Sequence, residues 1–208
     1  MMNRGRFIAL EGGEGVGKST QVKALAEAMR ARGLDVVTTR EPGGSPGAEA
    51  IRGLLLDGPD DGWGPEAEAL LFAAARTDHL DRVVRPALEA GQWVLCDRFV
   101  DSSLAYQGVA GGLGLDAVRR INAFGIGDWF PDRTLVLIAP EGADRAKARD
   151  SEGSDRIGRR SAAYHEAVET GFRTIAAAEP ERVRLIDASG SPQEVTDRLL
   201  AALQDLLQ

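Results

Sequence analysis

Several things are scarce in this sequence. Its 208 residues hold one cysteine, Cys96, so no internal disulfide can form and a reducing compartment is the natural setting. Positive charge is in deficit, with 25 Lys and Arg against 32 Asp and Glu and a formal net charge of −7. That balance argues against broad binding of nucleic acid or anionic membrane, and leaves room for a small basic site that takes a phosphorylated metabolite. No apolar run approaches a membrane span. The opening MMNRGRFIALEG is interrupted by Glu11 and glycines too early for the apolar region of a secretion signal. Internal repeats, low-complexity tracts and long linkers are also missing. The expectation is one domain over 1–208, with an ordinary globular composition of 43% hydrophobic and 27% charged residues, located in the cytoplasm.

Short apolar segments alternate with longer helical patterns. FIAL at 7–10, DVVTT at 35–39, WVLC at 93–96, TLVLI at 134–138 and VRLI at 183–186 are nearly continuous in apolar character. Such runs suit parallel strands covered on both faces. Between them the patterns predict helices over 18–32, 46–57, roughly 66–90, about 115–125, 161–178 and 192–207. The last opens with Ser191, Pro192 and Glu194, a Ser-x-x-Glu capping box with proline at the first helical position. Strand and helix in alternation define an α/β domain with a five-stranded parallel sheet flanked by helices. Residues 148–160, ARDSEGSDRIGRR, lack an apolar face and read as a surface loop of the kind that becomes a lid, about 142–160.

Residues 10–20 read LEGGEGVGKST. Gly12-x-x-x-x-Gly17-Lys18-Ser19 is a Walker A pattern with a strand before it and a helix after it. Over Gly12, Gly13, Glu14, Gly15, Val16 and Gly17 the backbone N–H groups can turn inward around phosphate. The helix N-terminus at Lys18, Ser19 and Thr20 adds partial positive charge. Lys18 is expected on the β- and γ-phosphates of a nucleoside triphosphate and the Ser19 hydroxyl on Mg²⁺. Asp97, at the tip of the strand WVLC, is a second candidate for Mg²⁺ or its waters, and Arg98 beside it can grip phosphate in bidentate fashion. The motif alone does not separate kinases from nucleotide-dependent switches. It also raises a question of charge, because Glu11 and Glu14 place two carboxylates at a pocket for a polyanion.

Three further segments follow in order: TREPGG at 39–44, LLFAAAR at 70–76 and DRFVDSSLAYQG at 97–108. With them the chain strongly resembles the thymidylate kinase family, from residue 6 to the carboxyl-terminal helix. The resemblance implies a P-loop nucleoside monophosphate kinase fold that transfers phosphate from ATP to dTMP with Mg²⁺, usually as a homodimer. Kinases for other monophosphates, or a non-catalytic switch, are the rival readings. It implies that Arg40 and Arg98 hold the acceptor phosphate. Phe72 would stack on the thymine, Arg76 would donate to a base carbonyl, and Ser103 would meet the base where the family more often has threonine or asparagine. Tyr106 would crowd the 2′ position of the sugar, Gln107 would add a polar contact, and Glu14 would accept from the 3′-hydroxyl.

The family comparison also bears on the missing positive charge. Between Gly12 and Gly17 there is no arginine, where some members carry one for the transferring phosphoryl group. Arginine supplied by the lid is the implied substitute, with Arg149 and Arg156 the candidates and Arg145 a further one. The aspartate usual after the strand that precedes the lid is replaced here by Ile138.

Overall fold

In this computed structural model the described residues are 5–57, 62–139 and 155–207. Strand β1 (Phe7–Gly12) is buried at all six positions, as its unbroken apolar run requires. Ile8 and Leu10 face one side of the sheet, and Phe7 and Ala9 the other. The remaining strands are β2 (Val36–Arg40), β3 (Trp93–Asp97), β4 (Arg133–Ile138) and β5 (Val183–Asp187). Every pairing is parallel, and the order is β2-β3-β1-β4-β5. All five expected strands are therefore present. The order places β1 in the centre, so the loop that leaves its carboxyl end is flanked by the ends of β3 and β4. In open α/β sheets that edge is where ligands bind.

Helices α1 (Lys18–Arg30) and α8 (Pro192–Ala202) cover one face, with Leu25, Met29, Leu199 and Leu203 packed on Ile8, Leu10 and Leu135. The other face carries α4 (Arg85–Glu89), α5 (Val100–Ser103), α6 (Leu115–Ile126) and α7 (Ala162–Ala178) in two apolar clusters, and α3 (Pro65–His79) packs against α6. Helix α2 (Pro46–Leu56) packs against α3. Among the described residues no helix is long and apolar enough to cross a membrane.

Helix ends follow their local chemistry. The capping box forms as expected, with Ser191 Oγ accepting from Glu194 N at 3.3 Å and the Glu194 carboxylate accepting from Ser191 N at 2.7 Å. The helix ends at Ala202 rather than running to 207. There the Arg133 guanidinium takes the Ala202 carbonyl and the Asp205 carboxylate, which draws the chain out of helical register.

The expected helix over 66–90 is a composite. Leu80–Val84 forms a π-helical turn between α3 and α4. Pro86 has no N–H to continue an α-helical ladder, and the wider turn before it accommodates that loss. A second π-helical segment, Leu104–Ala110, follows α5 and ends with Gly111 N donating to the Tyr106 carbonyl at 2.8 Å. Gly171 lets α7 approach this segment closely, since a Cβ there would lie 3.0 Å from Ala105 Cα and 3.2 Å from Val109 Cβ.

One buried ion pair ties this layer to the sheet edge. Asp101, fully buried, accepts from Arg182 Nη1 and Nη2 at 2.7 and 2.8 Å and from Thr134 Oγ1 at 2.7 Å. Removing one partner leaves a buried charge uncompensated. Arg182→Ala should cost about 3 kcal/mol, and Arg182→Lys, which cannot make the bidentate fork, should fall between it and the parent. Urea unfolding midpoints check both, and an Ala variant as stable as the parent would remove the pair from the account.

Candidate active site

Glycine is required where the chain leaves β1. Gly12, Gly15 and Gly17 have φ of 141°, 69° and 91°, values that side chains rarely tolerate. A Cβ on Gly12 would also lie 2.6 Å from the Leu137 carbonyl. No side chain caps the first turn of α1, so its N–H groups are available to a ligand. Lys18 folds back over the loop, with Nζ donating to the Gly13 carbonyl at 2.6 Å. Burial and the like charge of Arg98 lower its pKa to about 8, against the pull of Glu14 and Asp97. Ser19 Oγ lies 3.4 Å from Asp97 Oδ2, so two hard oxygen donors sit together beside the loop.

Arg98 follows Asp97 with φ of 70°, a left-handed backbone that costs a non-glycine residue about 1–2 kcal/mol. It is held there on all sides. Its N–H donates to the Leu10 carbonyl at 2.9 Å, and its carbonyl accepts from the Cys96 thiol at 2.9 Å. Nη1 reaches the Gly12 carbonyl and Ser102 Oγ at 3.0 and 3.2 Å, and Nη2 reaches Glu14 Oε1 at 2.5 Å. The guanidinium lies 5.0 Å from the centre of the Tyr106 ring, and the Tyr106 hydroxyl donates to Glu14 Oε1 at 3.0 Å.

These contacts decide the two carboxylates. Burial alone would raise the Glu14 pKa, but Arg98, Lys18 and the Tyr106 hydroxyl bring it down to about 2, so it is ionised at neutral pH. Glu11 is fully buried and turned away from the glycine loop. It accepts from Phe99 N, Ser102 N and Ser102 Oγ at 2.8, 3.0 and 2.5 Å, and burial pushes its pKa up to about 7.

Beside Lys18 and Arg98 opens a cavity of about 220 Å³. Phe72, Ser103, Tyr106, Gln107 and Arg40 line it. Arg40 is half-exposed and forks onto Glu49 at 3.0 and 3.1 Å. Phe72 and Arg76, four apart on α3, do not share the cavity. Arg76 lies behind it, 2% exposed, with Nε on Glu41 at 2.8 Å, Nη1 on Ser103 Oγ and Asn122 Oδ1 at 3.1 and 2.5 Å, and Nη2 on the Phe99 carbonyl at 3.1 Å. It meets the cavity lining through Ser103.

The lid candidates divide. Arg149, with Arg145, lies outside the described residues. Arg156 is buried, with Nε on the Leu55 carbonyl at 2.9 Å and Nη2 on the Glu68 carboxylate. Glu68 accepts from Arg160 at 2.6 Å and from Gln107 Nε2 at 3.1 Å as well.

Sequence reasoning passed over Glu68, Glu41, His79 and Ser102. Glu68 stands one helical turn before Phe72, which was a usable signal. Glu41, inside TREPGG, takes Arg76 and His79 Nδ1 at 2.8 and 2.9 Å, and His79 Nε2 meets Thr39 Oγ1 at 2.7 Å. Nothing in the spacing of 39, 41, 76 and 79 announces that network.

A central glycine loop followed by an uncapped helix, a neighbouring arginine and a lined cavity on a five-stranded parallel sheet are the arrangement of a P-loop nucleoside monophosphate kinase. Residues 10–199 match the family model described as thymidylate kinase. A thymidylate kinase from Rhizorhabdus wittichii is 63% identical over 205 residues, covering 98% of this chain and 99% of that protein. One from Bradyrhizobium diazoefficiens is 49% identical over 207 residues, covering 98% and 91%. The crystal structure of thymidylate kinase from Ehrlichia chaffeensis superposes with a TM-score of 0.78 at 32% identity, covering 97% of this chain and 99% of that one. The chain belongs to the thymidylate kinase family, phosphotransferases that pass a phosphoryl group from ATP to dTMP.

The burial of Arg76 sets a test. Arg76→Ala would take the ion-pair partner from the buried Glu41 carboxylate and leave it on His79, and should lower stability by about 3–5 kcal/mol without any nucleotide present. Chemical denaturation of the nucleotide-free protein checks this. Unchanged stability would leave Arg76 a base-contacting group only.

Proposed function

We propose that this chain catalyses ATP + dTMP → ADP + dTDP, supplying precursor for DNA synthesis, as a single P-loop domain in the cytoplasm. The observation that carries the reading is the convergence of Lys18, Arg98 and Glu14 at the mouth of the cavity lined by Phe72, Ser103, Tyr106 and Gln107.

The donor phosphates would lie on the loop from Gly12 to Gly17 and on the open first turn of α1 through Thr20, with Lys18 drawn from the Gly13 carbonyl onto the β- and γ-oxygens. Ser19 and Asp97 suit Mg²⁺, which prefers a few oxygen ligands and completes its shell with phosphate and water. The metal would neutralise charge on the phosphates. Arg98 and Arg40 would orient the acceptor phosphate, for which two planar guanidinium groups are better than two ammonium groups. That phosphate is already anionic at neutral pH, so attack on the γ-phosphorus needs positioning and electrostatic stabilisation more than a general base.

Phe72 would stack on the base, with Ser103, backed by Arg76, and Gln107 at its polar edge. Tyr106 would stand where a 2′-hydroxyl would project. Glu14 uses two of its acceptor positions on Arg98 and Tyr106, and retains capacity for a 3′-hydroxyl. The stabilising arginine would come from the lid over 142–160, with Arg149 and Arg156 the candidates. For Arg156 the tie to Glu68 must first be exchanged.

The defining experiment is ADP production with dTMP, dUMP, UMP, AMP, GMP and CMP as acceptors and a no-acceptor control. Preference for dTMP with little background hydrolysis is expected, whereas turnover led by another monophosphate overturns the acceptor assignment. Lys18 adds a pH test. A lysine with a lowered pKa is charged below about 8 and loses that charge above it, so ATP affinity should fall as pH rises from 7 to 9.5. Lys18→Met should flatten this dependence in a direct binding titration, and a flat parent profile would remove Lys18 from the phosphates.

A homodimer is also proposed. Leu70 on α3 is 57% exposed and Phe124 on α6 is 98% exposed, and these two helices pack side by side. Phe124→Asp should convert the dimer to monomer in light scattering. A parent protein that is already monomeric would end the proposal.

A further inference from the structure

Glu11 has no part in the donor or acceptor chemistry described above, yet it is a fully buried carboxylate beside the cavity. Its side chain crosses from the end of β1 to the turn that follows β3. One oxygen takes the N–H groups of Phe99 and Ser102 at 2.8 and 3.0 Å, and the other takes the Ser102 hydroxyl at 2.5 Å. A serine hydroxyl has one proton to donate. Spent on Glu11 Oε2, that proton leaves the oxygen lone pairs to face Arg98 Nη1, 3.2 Å away. Carboxylate, hydroxyl and guanidinium then form one polarised chain.

The same carboxylate fixes the backbone on the far side of Arg98. Arg98 keeps its left-handed φ of 70° between two anchors. Before it stand the Leu10 carbonyl and the Cys96 thiol, and after it stand the two N–H groups held by Glu11. Without the second anchor the turn can relax toward an ordinary φ, and the guanidinium would swing with it.

We infer that Glu11 is a positioning residue for phosphoryl transfer, acting through Ser102 and the 98–102 turn to aim Arg98 at the acceptor phosphate. The inference rests on the reading of Arg98 as the group that grips that phosphate.

The test compares dTMP with thymidine, which fills the same cavity without a phosphate. In Glu11→Gln, dTMP should bind about tenfold more weakly, the worth of one charge-assisted hydrogen bond, with kcat reduced by a similar factor or more. Kd for thymidine and for ATP should stay within about twofold of the parent. A Glu11→Gln protein that is less stable but keeps the parental ratio of dTMP to thymidine affinity, and the parental kcat, would overturn the inference and leave Glu11 a structural residue. Arg98→Ala is measured in parallel. If it abolishes the difference between dTMP and thymidine while Glu11→Gln does not, the positioning role alone fails. If Arg98→Ala itself keeps the difference, the acceptor reading fails and takes this inference with it.

Should Glu11→Gln not fold, Ser102→Ala removes the relay and leaves Glu11 on its two backbone donors. The expected loss is then smaller, about threefold to fivefold in dTMP affinity and again absent for thymidine. Ser102→Thr, which restores the hydroxyl, should bring the ratio back. A Ser102→Ala protein with the parental ratio, or a Thr variant that does not recover, would sink the relay.

Discussion

Arg98 is the constraint on which the working end of this molecule depends. Its guanidinium sits between the glycine loop of β1 and the acceptor cavity, and it bonds the Gly12 carbonyl, Glu14 and Ser102 from one position. A charge placed so deeply is costly unless it is paired and hydrogen-bonded. Glu14 pairs it, the Tyr106 ring lies beside it, and Glu11 secures the turn that carries it. Of the two carboxylates that look misplaced beside a phosphate loop, Glu14 pairs the cation and Glu11 holds the turn behind it. Lys18, Ser19 and Arg40 also line the cavity.

Much of this architecture was legible in the chain. The strands were visible because a parallel strand covered on both faces must be apolar at nearly every position, and β1 is buried throughout. The glycine loop was visible because three positive φ values leave few alternatives to glycine. The capping box was visible because it is local, confined to four consecutive residues. Less legible were features that depend on what lies opposite in space. Phe72 and Arg76 share a helical face by spacing, yet Phe72 meets the cavity while Arg76 is taken behind it by Glu41, Asn122 and Ser103, which come from three other parts of the chain. The π-helical segment that presents Tyr106 and Gln107 has no periodicity of its own, since one wide turn shifts every later side chain relative to an α-helix.

The site is also a crossing of several separate chain segments, which explains why single motifs were weak evidence. TREPGG taken alone is a turn after β2. In place, Glu41 of that turn holds Arg76 of α3, Arg76 backs Ser103, and Ser103 lines the cavity. Each polar group is satisfied by a residue far away in sequence, so the cavity wall has one arrangement rather than several. Spacing could identify the participants only after the fold family was known. Their pairings required the structure.

The segment that carries Arg156 and Arg160 obeys a similar logic. Glu68 is buried and accepts from two guanidinium groups, Arg156 and Arg160, as well as from Gln107. A lone carboxylate losing a lone cation would be stranded without compensation. With two cations on one carboxylate, either arginine can leave while the other still satisfies the charge. Arg160 is further tied down by donating to the Tyr164 hydroxyl at 2.5 Å, which donates in turn to the Tyr106 carbonyl at 2.9 Å. Gln107 lines the cavity and shares the same carboxylate. One buried carboxylate thereby joins the cavity lining to Arg156 and Arg160.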